Sequence, residues 1–107
     1  MQFRGGMNEL MRQAARMQRK VDQLKEQIRD RPFTVGAAAD KVKVTATCQG
    51  KLTQIEIDPE FARTEELALV CDAIVAAANG ALAAAEKAAD EEIAKVTGGP
   101  KLPNLSG

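Results

Sequence analysis

Apolar residues near the start of the chain fall at Met7, Leu10, Ala14, Met17, Val21, Leu24 and Ile28, in unbroken steps of three and four. That spacing draws one narrow apolar seam along an α-helix over residues 7–30 and calls for a partner helix. Residues 1–6 read as a short flexible lead, with Asn8 or the preceding glycines as cap, and Arg31-Pro32 ends the helix because proline disfavours a helical residue before it. The pattern then changes period. Residues 33–38 predict a first strand. Residues 41–48 alternate, with Val42, Val44, Ala46 and Cys48 on one face and Lys41, Lys43, Thr45 and Thr47 on the other, and Gln49-Gly50 makes a hairpin turn. Residues 51–57 alternate again, placing Ile55 and Ile57 on the core side, and Asp58-Pro59 closes the strand. Thr64 followed by Glu65-Glu66 predicts the start of a second helix running to about Val96, with its acids in the first turn. Leu67, Val70, Ile74, Leu82, Ile93 and Val96 give this helix its apolar side.

The expected fold is therefore α+β: a long helix, a three-stranded antiparallel meander and a second long helix. Residues 1–97 form the domain, and residues 98–107 read as a flexible polar tail. Alanine supplies 11 of the 22 residues at 73–94, which fits either a close approach between helices or simply high helix propensity. Asn79-Gly80 is a weak spot in the middle of that helix, costing about 1 kcal/mol at the glycine relative to alanine.

Composition sharpens the picture. Of 107 residues 19 are alanine and only 23 are Leu, Ile, Val or Phe, so few large side chains are available to a core. Burying the seam between two copies is the economical remedy, and a homodimer is expected. The seam could equally fold back on the chain's own second helix. No uninterrupted apolar run reaches 18 residues, so no membrane crossing is expected, and the N-terminus lacks the pattern of a secretory leader. Cys48 and Cys71, 23 residues apart with no CxxC, read as free buried thiols in a reducing compartment.

The net charge of zero conceals a gradient. Residues 1–31 carry eight basic and four acidic side chains, whereas residues 59–97 carry three basic and eight acidic ones. Such asymmetry suits a polyanionic partner, or two oppositely charged helices packed together. On the first helix Arg12 and Arg19 sit at heptad position f, Arg16 at c and Lys20 at g, mostly opposite the seam. Arg12–Arg16 and Arg16–Lys20 are like-charge neighbours at i, i+4, each unfavourable by a few tenths of a kcal/mol. Lys25 and Arg29 have Asp22 and Glu26 three residues away. The clustered cations Arg12, Arg16, Arg19 and Lys20 are thus candidate phosphate contacts, with a merely solvated face as the plain alternative.

Catalysis has little to work with. The chain has no histidine, hence no usual base for a Ser or Cys nucleophile and no imidazole ligand for a metal. The glycine pairs at 5–6 and 98–99 match no phosphate-binding fingerprint. No catalytic residue, metal site, cofactor or small-molecule substrate is expected. With no Trp or Tyr and three scattered Phe, base stacking is disfavoured, and no element reads base edges. Nucleic-acid binding would rest on backbone contacts to duplex, with weak sequence preference.

Several stretches together resemble the YbaB/EbfC nucleoid-associated proteins of bacteria. They are Gly5-Gly6-Met7-Asn8-Glu9-Leu10-Met11-Arg12-Gln13-Ala14 with Met17-Gln18, then Val42-Lys43-Val44-Thr45, Ile55-Glu56-Ile57-Asp58-Pro59, Ala76-Ala77-Ala78-Asn79, and Gly98-Gly99 with Leu102-Pro103. The resemblance implies a homodimer paired through the sheet region with projecting helical arms. It also implies binding of double-stranded DNA in the cytoplasmic nucleoid, with roles in nucleoid organisation and gene regulation. The alternative is a dimeric coiled-coil scaffold or prefoldin-like holdase without DNA binding.

Overall fold

The computed structural model describes residues 2–98. In chain order the elements are α1 (Gln2–Ile28), β1 (Pro32–Ala37), β2 (Val42–Thr47), β3 (Leu52–Ile57), α2 (Pro59–Thr64) and α3 (Leu67–Thr97). The expected helix–three strands–helix order holds, with a short additional helix between sheet and α3. The chain divides into two compact units, one of Ile28–Ala89 and one of α1 as far as Gln27 with the chain from Asp90.

Within Ile28–Ala89 the strands form an antiparallel sheet in the order β1-β2-β3. Residues opposite one another in such a sheet project to the same side. Three apolar rows result: Val35–Val44–Ile55, Ala37–Val42–Ile57 and Phe33–Ala46–Leu52. The last row survives a one-residue slip on β3, where Thr53 is the extra residue of a bulge. Val42, Val44 and Ala46 are completely buried, as their alternation predicts.

What buries them is an alanine stripe. Val70, Ala73, Ala77, Ala81 and Ala85 are the buried face of α3, and Ala73, Ala77 and Ala81 pack directly with Val42, Val44 and Ala46. Ala73, Ala77 and Ala81 therefore bring a helix onto a sheet. Methyl groups on the helix leave room for the branched valines beneath, and each buried valine contributes roughly 1.5–3 kcal/mol. Gly80 belongs to the same contact: a Cβ there would lie 2.8 Å from Val35 Cγ1. The glycine permits the helix to approach β1, so what reads in sequence as a weak spot is a packing requirement.

This one helix leaves β3 uncovered. Ile55, expected in the core, shares the core face but stays 48% exposed, and Leu52 is similarly open. Leu67, expected on the apolar side of α3, is 75% exposed. Ile57, Phe61, Ile74 and Leu82 are partly buried against the core.

The helix boundaries differ from expectation for local reasons. α1 begins at Gln2, running through both glycines, and its last bonded turn ends at Ile28, where Arg31 N–H bonds Ile28 O at 3.0 Å. Asp58-Pro59 both ends β3 and starts α2: the Asp58 carboxylate accepts from Phe61 N–H at 3.0 Å, with proline in the first helical turn. Glu65 is extended and breaks the helix, so the acids precede the first turn of α3, and Glu66 O receives the Leu69 and Val70 N–H groups.

Two turns complete the sheet. Gly50, at φ +91°, closes the β2–β3 hairpin as its sequence predicts. The β1–β2 hairpin is less ordinary, because Ala38, Ala39 and Asp40 all take left-handed φ values of 54°, 56° and 66°. Left-handed backbone costs an L-residue such as alanine about 1–2 kcal/mol relative to glycine.

Both cysteines are free; Cys48 is half-buried and donates its thiol to Ala85 O at 3.6 Å, whereas Cys71, expected to be buried, is exposed. α3 has the length and mean hydropathy of a membrane-crossing helix, contrary to the expectation from the lack of an uninterrupted apolar run. Asp72 and Asn79 interrupt the run, but Leu67, Leu69, Val70, Ile74, Val75 and Leu82 keep its average high. The tail from residue 99 lies outside the described residues.

Candidate nucleic-acid interface

α1 is built from strong helix formers: alanine, leucine, methionine, glutamine, lysine and arginine fill most of residues 10–27. The helix sets its cations at fixed angular positions. Arg12, Arg16, Arg19, Lys20 and Lys25 are all exposed.

Their pairing differs from a reading of spacing alone. Glu9 engages two arginines at once, its Oε1 lying 3.2 Å from Arg12 Nη2 and its Oε2 3.7 Å from Arg16 Nη2. Asp22 accepts from Gln18 Nε2 at 3.0 Å and forms no ion pair with Lys25. Among the described residues Arg19, Lys20 and Lys25 make no ion pair, so the unpaired cations cluster in the middle of α1, one turn later than like-charge spacing suggests. Glu9 is the partner that counting i, i+4 repulsions overlooks. Its signal was its place three residues before Arg12 and seven before Arg16, all on one helix face.

The seam splits along its length. Val21 and Ile28 are buried and Leu24 is half-buried, while Met7, Leu10 and Met17 remain exposed, as does Met11 beside them.

A second group of cations lies in Ile28–Ala89. Arg29 Nη2 donates to Gln49 Oε1 at 3.3 Å, Gln49 Nε2 donates to Asp30 Oδ1 at 3.2 Å, and Arg29 Nε lies 3.7 Å from that oxygen. Main-chain bonds from Cys48 N–H to Arg31 O and from Gln49 N–H to Arg29 O fasten the β2–β3 turn to the same segment. These cations therefore hold a turn. On the outer face of the sheet Lys43 stands opposite Glu56, beside the row Thr34–Thr45–Gln54, in which the two threonine hydroxyls are 2.7 Å apart. Balanced charge makes that face a poorer anion surface than α1.

No group of three or more potential metal ligands occurs among the described residues. The clustered exposed cations of α1 are a surface of the kind that attracts polyanions.

Comparison with known proteins agrees with that reading. The chain belongs to the YbaB/EbfC DNA-binding family, whose model matches residues 3–100. It is similar to a nucleoid-associated protein of Moorella thermoacetica, 37% identical over 101 residues that cover 94% of this chain and 97% of that protein. A nucleoid-associated protein of Clostridium acetobutylicum is 32% identical, also over 101 residues, covering 94% and 90% respectively. In fold the chain is similar to an uncharacterized protein of Helicobacter pylori, with a TM-score of 0.70 at 21% identity over 86% of this chain and 96% of that one. The family is a DNA-binding family, not one of enzymes.

Proposed function

We propose that this protein binds duplex DNA as a homodimer, gripping phosphates with Arg12, Arg16, Arg19 and Lys20 of α1, and so acts in the nucleoid on DNA conformation and gene expression. The exposed cationic stretch of α1 is the observation that carries this reading; family membership and the names of the relatives support it. Arginine and lysine on a helix, in a chain without Trp or Tyr, supply phosphate contacts and little base readout, so affinity should vary little between sequences.

The homodimer is supported by what the single chain leaves open. Leu52, Ile55, Leu67 and Val75 are 46–75% exposed beside a core whose large, fully buried side chains, among the described residues, are Val42 and Val44. An apolar edge strand of this kind is ordinarily covered. The second reading, a dimeric scaffold or holdase, draws on the exposed Met7, Leu10, Met11 and Met17 of α1, because methionine-rich faces adapt to varied partners.

Salt separates the two. Binding of the full-length protein to two unrelated duplexes is measured from low to moderate ionic strength. The three arginines alone give about six contacts per dimer and roughly −5 of the log–log slope, with Lys20 adding to it, similar on both sequences. Binding that ignores salt, or none at low salt, would discard the phosphate grip and favour the scaffold.

A further inference from the structure

Resting on the reading of α1 as the DNA-contacting helix, we infer that Glu9 is a built-in competitor for phosphate that sets the strength and salt dependence of DNA binding. Its two carboxylate oxygens each meet one arginine, Oε1 accepting a hydrogen bond from Arg12 Nη2 at 3.2 Å and Oε2 forming an ion pair with Arg16 Nη2 at 3.7 Å. A carboxylate and a phosphate offer guanidinium the same thing, paired anionic oxygens at hydrogen-bonding distance. A phosphate reaching either arginine must displace Glu9 or accept a negative charge beside it.

The surroundings make Glu9 a competitor and not a structural clamp. The side chains of Arg12, Arg16 and Glu9 are 66%, 51% and 50% exposed, so no packing holds them together. Exposed ion pairs of this kind contribute little to folding and exchange readily. Glu9 also lies beyond the first turn of α1, which begins at Gln2, so it does not serve the helix terminus. The trio carries a net charge of +1 where two free arginines would carry +2. Arg19 and Lys20, without ion-pair partners, are available to DNA at once, whereas Arg12 and Arg16 join only as Glu9 gives way. Binding is thereby kept weaker and more easily released than the count of cations implies.

Glu9→Gln preserves shape and an acceptor oxygen while removing the charge. Duplex affinity is measured over a salt series for the wild type, Glu9→Gln, Asp22→Asn, Arg12→Ala/Arg16→Ala, and Glu9→Gln in that double-alanine background. Asp22 shares the helix and the charge change, but its structural contact is with Gln18. At about 0.1 M salt Glu9→Gln should bind three- to tenfold tighter, with a slope steeper by about one to two, while Asp22→Asn changes affinity less than twofold. In the double-alanine background the Glu9 change should have no effect. Equal gains from Glu9→Gln and Asp22→Asn would reduce the effect to net charge and overturn the inference, as would a gain persisting without the two arginines. If even the wild type does not bind at low salt, the DNA reading itself falls and the inference with it, an outcome distinct from both.

Discussion

Gly80 is where a single methyl group tests how α3 sits on the sheet. In an ordinary helix Gly80→Ala would stabilise by about 1 kcal/mol through backbone propensity alone. Here the added Cβ would stand 2.8 Å from Val35 Cγ1 and 3.6 Å from Val35 Cβ, the nearer contact falling roughly 0.7 Å short of ordinary carbon–carbon packing. Val35 cannot easily turn away, because a β-branched side chain has few rotamers. Overpacking of this kind costs about 1–3 kcal/mol, so the expected net effect is a loss of roughly 1 kcal/mol. Val35→Ala removes the obstructing methyls, and in that background Gly80→Ala should recover its propensity and stabilise by about 1 kcal/mol. The two changes should therefore couple by about 2 kcal/mol, within the range found for residues in contact. Urea unfolding followed by circular dichroism, at one fixed protomer concentration, measures all four proteins. Gly80→Ala stabilising the wild type, with effects that simply add, would show that the helix does not lie against Val35.

Other consequences are more local. Ala39→Gly should stabilise by about 0.5–1 kcal/mol in the same assay, since glycine accepts the left-handed φ of 56° without penalty and offsets its greater unfolded entropy. Asp58→Ala removes the cap on Phe61 N–H and should cost about 1 kcal/mol, with faster hydrogen exchange at that amide, while Asp58→Asn should lose much less. Ile55→Lys places a charge on the uncovered face of β3 and should weaken self-association at least tenfold by sedimentation, leaving helix content unchanged. An unaltered sedimenting mass would remove β3 from the dimer surface.

Features that follow from local sequence were the legible ones. The three-four spacing from Met7 to Ile28 and the alternation from Val42 to Cys48 each depend on neighbours within a few residues, and both appear in the structure, although the helix starts at Gln2, within the stretch read as a flexible lead. Ile55 obeys its alternation too; it stays exposed because one helix covers two strands, a matter of tertiary coverage that no period records. Alanine hid the core in a different way. Ala73, Ala77 and Ala81 have the spacing of a buried stripe, but alanine is equally at home in solvent; of the larger residues expected on that face Val70 is buried and Ile74 and Leu82 pack against the core, whereas Leu67 is exposed. Asp58-Pro59 carries two meanings, strand end and helix start, and the second becomes visible only with the cap in place. At the candidate site the cations of α1 were plain in the sequence. Their pairing was not, because Glu9 could face Arg12, Arg16 or solvent until its rotamer was known.

Whether α1 holds the phosphates is tested most directly by comparing the salt dependence of duplex binding for the wild type with that of Arg12→Ala/Arg16→Ala/Arg19→Ala. The substitutions lie on an exposed face and should leave self-association intact. The variant should bind every sequence more weakly, and its log–log slope should become shallower by roughly 5 as about six phosphate contacts per dimer are lost, leaving the share of Lys20. Wild-type affinity with an unchanged slope would contradict the account and move the grip to Lys41, Lys43 and Lys51 around the sheet.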